Sequence, residues 1–262
     1  MPRIPMPNSF RESVCYTRTM SDTLKPLASS LRIIFAGLAH ISFEKSRTSP
    51  PKLPVPKKSK KATRVDEHEQ TISWVVVSGL VSFADWCNFV SALGLKGIAQ
   101  REYVLSFVYS VMCVIDASTE EGGIKERSLP FEGFLEAIIR LATTLPIPND
   151  QQLADAGFVH AGPYLSQLAE LNEIRFAALT KEQACEWGDT PNEALSGSMP
   201  RRIEHFVDMI KRRMKPKAKE GLEDEPVGAL TRAEFRNWAL KAMGLEDRQL
   251  PGKWADEKAV GE

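Results

Sequence analysis

The sequence predicts an all-α protein, on three observations. Apolar residues recur at helical spacing in six separate stretches. Only one stretch, the valine-rich 72–80, reads as a strand, which is too little β text for a sheet-based fold. Several stretches open with a Ser or Thr followed three residues later by an acid or amide, the capping box that satisfies the free amides of a helix start.

The elements follow in chain order. Leu31, Ile34, Phe35, Leu38 and Ile41 form one face of a helix near 23–42. Phe83, Trp86, Phe89, Val90 and Leu93 form a second stripe, and Val104, Phe107, Val108, Val111 and Ile115 a third, near 99–115. Phe131, Phe134, Leu135, Ile138, Leu141 and Ala142 make the fourth. Residues 151–185 are helical but less regular, with Leu165, Leu168 and Leu171 as their clearest stripe. Ile203, Phe206, Val207, Ile210 and Met214 define a helix near 201–215, and Phe235, Trp238, Ala239, Ala242 and Met243 the last. Trp86, Phe134 and Trp238 read as core residues.

The chain has 262 residues, 43% of them hydrophobic and 26% charged, the composition of an ordinary globular protein rather than a disordered, collagenous or membrane chain. Its formal net charge is zero, but the distribution is uneven. Residues 1–64 hold 13 Lys and Arg against three acids, Glu12, Asp22 and Glu44, and the rest of the chain carries the compensating acidic surplus of ten. The densest basic text is SRTSPPKLPVPKKSKKATR (46–64). Its prolines exclude helix and central strand and its lysines repel one another, so 45–70 reads as a disordered basic insertion. No apolar run reaches the roughly 20 residues of a membrane span. The N-terminal text has no continuous apolar stretch of signal-peptide type, and Pro2, Pro5 and Pro7 interrupt the amphipathic helix of a transit peptide.

Four helix starts share a local pattern: VSFADW (81–86), LPFEGF (129–134), LTKEQA (179–184) and LTRAEF (230–235). An apolar residue, four residues and then an aromatic opening an amphipathic helix is also the second half of an EF-hand. Gly79 and Gly228 stand two residues before Val81 and Leu230, where such a loop turns sharply. On these motifs the chain resembles the EF-hand-like superfamily over about 22–145 and 201–246. The degenerate hands are similar to those of eukaryotic regulatory, cytoskeletal and flagellar proteins. The resemblance implies helix–loop–helix pairs, with entering helices at 23–42, 99–115 and 201–215. It also implies a protein partner, cytoskeletal in some relatives, and a cytoplasmic setting that extends to cytoskeleton or cilium. The expected organisation is a flexible segment 1–21, an EF-hand-like pair 22–145 interrupted by the insertion, a connecting helical segment 146–200, a third helix–loop–helix 201–246 and a tail 247–262.

A calcium loop needs oxygen side chains at positions 1, 3 and 5, Gly at 6 and a bidentate Glu at 12. The loop ending at Asp85 places Trp74 and Val76 at positions 1 and 3, and the second places Gly133 at position 12. The third places Glu223, Glu225, Gly228 and Glu234 in register, with Val227 at position 5 and Pro226 stiffening it. Glu223, Glu225 and Glu234 are therefore the calcium candidates, although Glu234 reads more readily as the capping-box partner of Thr231.

Lys57, Lys58, Lys60 and Lys61 form a cluster of the nuclear-localisation or polyanion-binding type, with nucleic acid, acidic protein tails and anionic lipid as admissible partners. The same text also suits a solvated loop inserted in a helical domain. Lys211, Arg212, Arg213, Lys215, Lys217 and Lys219 make a second basic strip, suited to a helix C-terminus. His40, His68, His160 and His205 are scattered, and Cys15, Cys87, Cys113 and Cys185 lack metal or redox spacing. No nucleophile elbow, phosphate loop or zinc-protease helix is present. The expectation is a non-enzymatic regulatory or scaffold protein with no required cofactor, calcium-independent, with a calcium sensor and a polyanion binder as the alternatives.

Overall fold

In the computed structural model the described residues are 7–48, 79–95, 97–112, 119–145, 147–186, 192–215 and 226–250. Helix takes up 73% of them and strand 2%, so the protein is all-α. The helices are α1 (Pro7–Phe10), α2 (Arg18–Leu24), α3 (Ala28–Thr48), α4 (Phe83–Leu93), α5 (Gln100–Ser110), α6 (Glu120–Lys125), α7 (Phe131–Ala142), α8 (Asp150–Asp155), α9 (Ala161–Leu171), α10 (Glu173–Glu186), α11 (Asn192–Met214) and α12 (Arg232–Ala242). A π-helical turn, Arg11–Cys15, follows α1, and a 3-10 turn, Asp247–Gln249, follows α12. Two short strands, β1 (Val81–Ser82) and β2 (Ser128–Leu129), pair antiparallel with Val81 opposite Leu129 and Ser82 opposite Ser128.

The apolar stripes bury as their spacing dictates. Leu31, Ile34, Leu38 and Ile41 of α3, Phe134, Ile138 and Leu141 of α7, and Ile203, Phe206, Val207 and Ile210 of α11 have essentially no exposure and share one core. The outermost members of three stripes do not reach it: Phe83, Val108 and Leu171 are exposed. Phe83 instead packs edge-on against Phe107. Helix α3 meets α12 closely: a Cβ on Gly37 would lie 2.2 Å from the Phe235 ring, so only glycine lets the aromatic sit on the α3 backbone.

The helix starts divide. Ser82 caps α4 by accepting from the Asp85 amide, and Thr231 caps α12 by accepting from the Glu234 amide, as their sequence predicts. Thr180 does not begin a helix; it lies inside α10. The chain starts that helix earlier because the Asn172 side chain accepts from the Arg175 amide and supplies the cap first.

The N-terminal segment needs a larger correction. Where 1–21 reads as flexible, residues 7–24 form α1, the π turn and α2. Phe10, Val14, Cys15 and Met20 are buried against α7 and α11. Helix α2 meets α3 at a 78° bend across Lys25, Pro26 and Leu27, where proline cannot continue the amide ladder. The insertion also begins later than 45: α3 runs to Thr48, and Lys45 lies in its last turns. The remainder of the insertion, 49–70, with Lys57, Lys58, Lys60 and Lys61, and most of the strand expected at 72–80 lie outside the described residues. Among the described residues no single helix is long and apolar enough to cross a membrane.

Candidate functional site

A concavity runs between the N-terminal segment and α7. Residues Cys15 to Arg32 supply one wall, and α7 the other. Leu24, Ala28 and Leu31 face Phe131, Leu135 and Ile139 across a volume of about 500 Å³. That is within the size range of ligand pockets, and its walls are mostly hydrocarbon. Periodicity explains the wall on α7: Phe131, Leu135 and Ile139 recur every four residues and line the edge of the core face that Phe134, Ile138 and Leu141 centre. The rim is charged. Lys25 pairs with Asp22 at 2.7 Å, and the Arg32 guanidinium lies 4.8 Å from the centre of the Phe131 ring.

One end of the groove is closed by a buried ionic cluster. Glu136 is 1% exposed and accepts from Arg140 Nε and Nη2 at 2.9 and 2.7 Å, both to Oε1. Arg11 Nε donates to both carboxylate oxygens at 3.1 and 2.8 Å, and the Tyr16 hydroxyl donates at 3.3 Å. Arg140, fully buried, also faces the Phe10 ring at 4.7 Å. Arg11 Nη2 reaches the carbonyl oxygens of Tyr109 and Val111. Burial, followed by the Glu136 charge, pushes the Cys15 thiol up to about 12, so it stays protonated and is no nucleophile. The same two causes raise the Tyr16 hydroxyl.

The positions that would close calcium loops carry other chemistry. Asp85 is 1% exposed and accepts from the hydroxyls of Ser42 and Ser82 at 2.7 and 2.6 Å and from Lys45 Nζ at 2.5 Å. An ammonium group from α3 thus lies on the carboxylate where a cation would bind. At Gly133 a Cβ would meet the Ser110 carbonyl oxygen at 2.9 Å, so a glutamate there collides with the end of α5. Glu234 accepts from the Thr231 amide and hydroxyl at 2.7 and 2.8 Å and lies 3.5 Å from Lys215 Nζ. Burial raises its pKa, but the Thr231 bonds and Lys215 outweigh that and hold it below the usual carboxylate range. Glu223 and Glu225 lie outside the described residues, so the three candidates are not seen together. Among the described residues no group of three or more His, Cys, Asp or Glu side chains is arranged to hold a metal.

The basic strip also finds local partners. Lys211 Nζ donates to the Val227 carbonyl at 2.8 Å, and Arg212 donates to Asp208 at 2.6 Å, both in the last turns of α11. Sequence reasoning missed the polar contact one turn earlier on that helix. His205, 2% exposed, places Nε2 3.2 Å from Asp150 Oδ1, to which Arg201 also donates at 2.9 Å. Burial lowers the His205 pKa, and Arg201 adds to this, against the pull of Asp150. The unfolded chain therefore takes up a proton near pH ~6.5 that the folded state resists, and stability falls as pH drops below that value. Urea unfolding at stepped pH is expected to show this slope, and His205→Gln to flatten it. An unchanged slope in the variant would exclude His205 as its source.

Comparison with protein-family models, curated proteins and solved structures finds no match to this chain.

Proposed function

We propose that the protein is a non-enzymatic regulatory or scaffold module of EF-hand-like build that binds a protein partner in the groove beside α7 without needing calcium. The observation that carries the reading is the pairing of Val81 with Leu129. It joins two helix–loop–helix units, α3–α4 and α5–α7, through the apolar residue that precedes each second helix, as sister EF-hand loops are joined. The groove lies on the second helix of the second unit and has the apolar walls and charged rim that receive an amphipathic helix. Calcium independence is supported by Lys45 on Asp85, by the carbonyl oxygen against Gly133 and by the capping role of Glu234. A cytoplasmic, cytoskeletal or ciliary partner follows from the resemblance alone.

The test is affinity capture on the immobilised full chain and on Leu135→Glu, each with calcium and with chelator, after circular dichroism confirms that the variant is folded. The same bound proteins are expected with and without calcium, and none on the variant. Capture only in calcium would overturn the calcium-independent reading, and capture undiminished by Leu135→Glu would overturn the groove.

A further inference from the structure

We propose that residues 7–24 are a displaceable intramolecular ligand, and that the surface they cover on α7 and α11 receives a partner helix of the same chemistry. That helix carries an aromatic residue followed at once by arginine, with a second apolar residue three positions after the arginine. The inference rests on the reading of the body as a protein-binding module and names what that module binds.

The contact made by this segment continues the core but has the composition of an interface, apolar anchors around an arginine. Phe10 and Val14, spaced as two anchors on one helical face, are 2% and 3% exposed. Between them Arg11 donates to Glu136, whose other partners among the described residues are Arg140 and Tyr16. Charged residues rarely occupy a dry core. Arginine and aromatic anchors dominate surfaces that form and separate. The acceptor carries the complementary charge: a carboxylate 1% exposed, on a helix face it shares with apolar Leu135 and Ile139, calls for a cation delivered on an amphipathic helix.

The segment is also built to leave. Its helical stretches, 7–15 with the π turn included and 18–24, are shorter than the roughly 12–15 residues at which a helix holds itself in water. It joins the body through the 78° bend at Lys25, Pro26 and Leu27. The groove of about 500 Å³ lies along its edge, between Cys15 and Lys25 and α7, so the segment does not fill the space it faces. A longer partner helix would fill both the anchor sites and this remaining volume.

Two measurements on the full chain test the proposal. Amide hydrogen exchange of the unaltered protein is expected to show residues 12–24 opening as a unit, at least ~100-fold faster than α7 and α11. Equal protection would make the segment part of the core and overturn the proposal. A labelled synthetic peptide of residues 7–24 is then titrated into the wild-type chain and into Arg11→Gln. Binding is expected to be ~10-fold tighter to the variant, whose internal competitor is weakened. A peptide carrying Arg11→Glu is expected not to bind. No binding by the unaltered peptide, or equal binding by the charge-reversed one, overturns the proposal. Concentration-dependent dimers that exchange this segment would overturn the partner helix in favour of a second copy of this chain. If Leu135→Glu abolishes partner capture while residues 12–24 exchange no earlier than α7, the module reading stands and this inference falls.

Discussion

Glu136→Ala is expected to lower the unfolding free energy by about 3–5 kcal/mol, the loss found when one partner of a buried ion pair is removed. The substitution takes from Arg140, whose side chain has no exposed surface, the carboxylate that pairs with it at 2.7 Å inside the core. It also frees Arg11, whose side chain is 24% exposed and can turn toward water, so Arg140 is the larger penalty. Domains are stable by only about 5–15 kcal/mol, so the change removes a large fraction of the total. Urea unfolding followed by circular dichroism measures it. A loss under about 1 kcal/mol would mean that water reaches the cluster and the charges are not desolvated. The control is Glu136→Leu combined with Arg140→Leu. It removes both buried charges together and is expected to cost less than the single change.

Trp86→Ala is expected to cost about 3–5 kcal/mol through the cavity it opens. Trp86 is fully buried and stands edge-on to Phe134, with ring centres 6.0 Å apart at 87°, and tilted against Phe89. Its Nε1 donates to the Tyr103 carbonyl at 2.9 Å. One side chain thus ties α4 to α5 and α7, the helices on either side of the β1–β2 pairing. Trp86→Phe keeps most of the hydrocarbon and loses the indole hydrogen bond, so it is expected to cost about 1–3 kcal/mol. Equal losses for the two variants in thermal and urea unfolding would place the stabilisation in the hydrogen bond instead of the packing.

Much of the body was legible because its information is local. The stripes of α3, α7 and α11 repeat within a few turns, and the Ser82 and Thr231 caps need only the next three residues. Thr180 carries equally good local text and fails, because Asn172 caps the helix upstream and a residue already inside a helix has no free amide to satisfy. The N-terminal segment was illegible for the opposite reason. Its helices are too short to show a period, and what holds it, Arg11 on Glu136, joins residues 125 positions apart. The groove shares this character, since residues 15–32 meet α7 only after the chain has folded. Of the candidate calcium ligands, Glu234 was placed correctly as a cap by its spacing from Thr231. The lysine on Asp85 could not be anticipated from a loop reading, because it comes from the helix on the far side of the insertion.

That lysine has a topological consequence. Lys45 and Asp85 stand just outside the two ends of residues 49–78, so their contact acts as a clasp that closes the intervening chain into a ring. Closing a ring costs free energy that grows only with the logarithm of its length, about 0.6 kcal/mol for each doubling. The clasp therefore ties the last turns of α3 to the start of α4 at a cost that depends only weakly on how many residues separate Lys45 from Asp85.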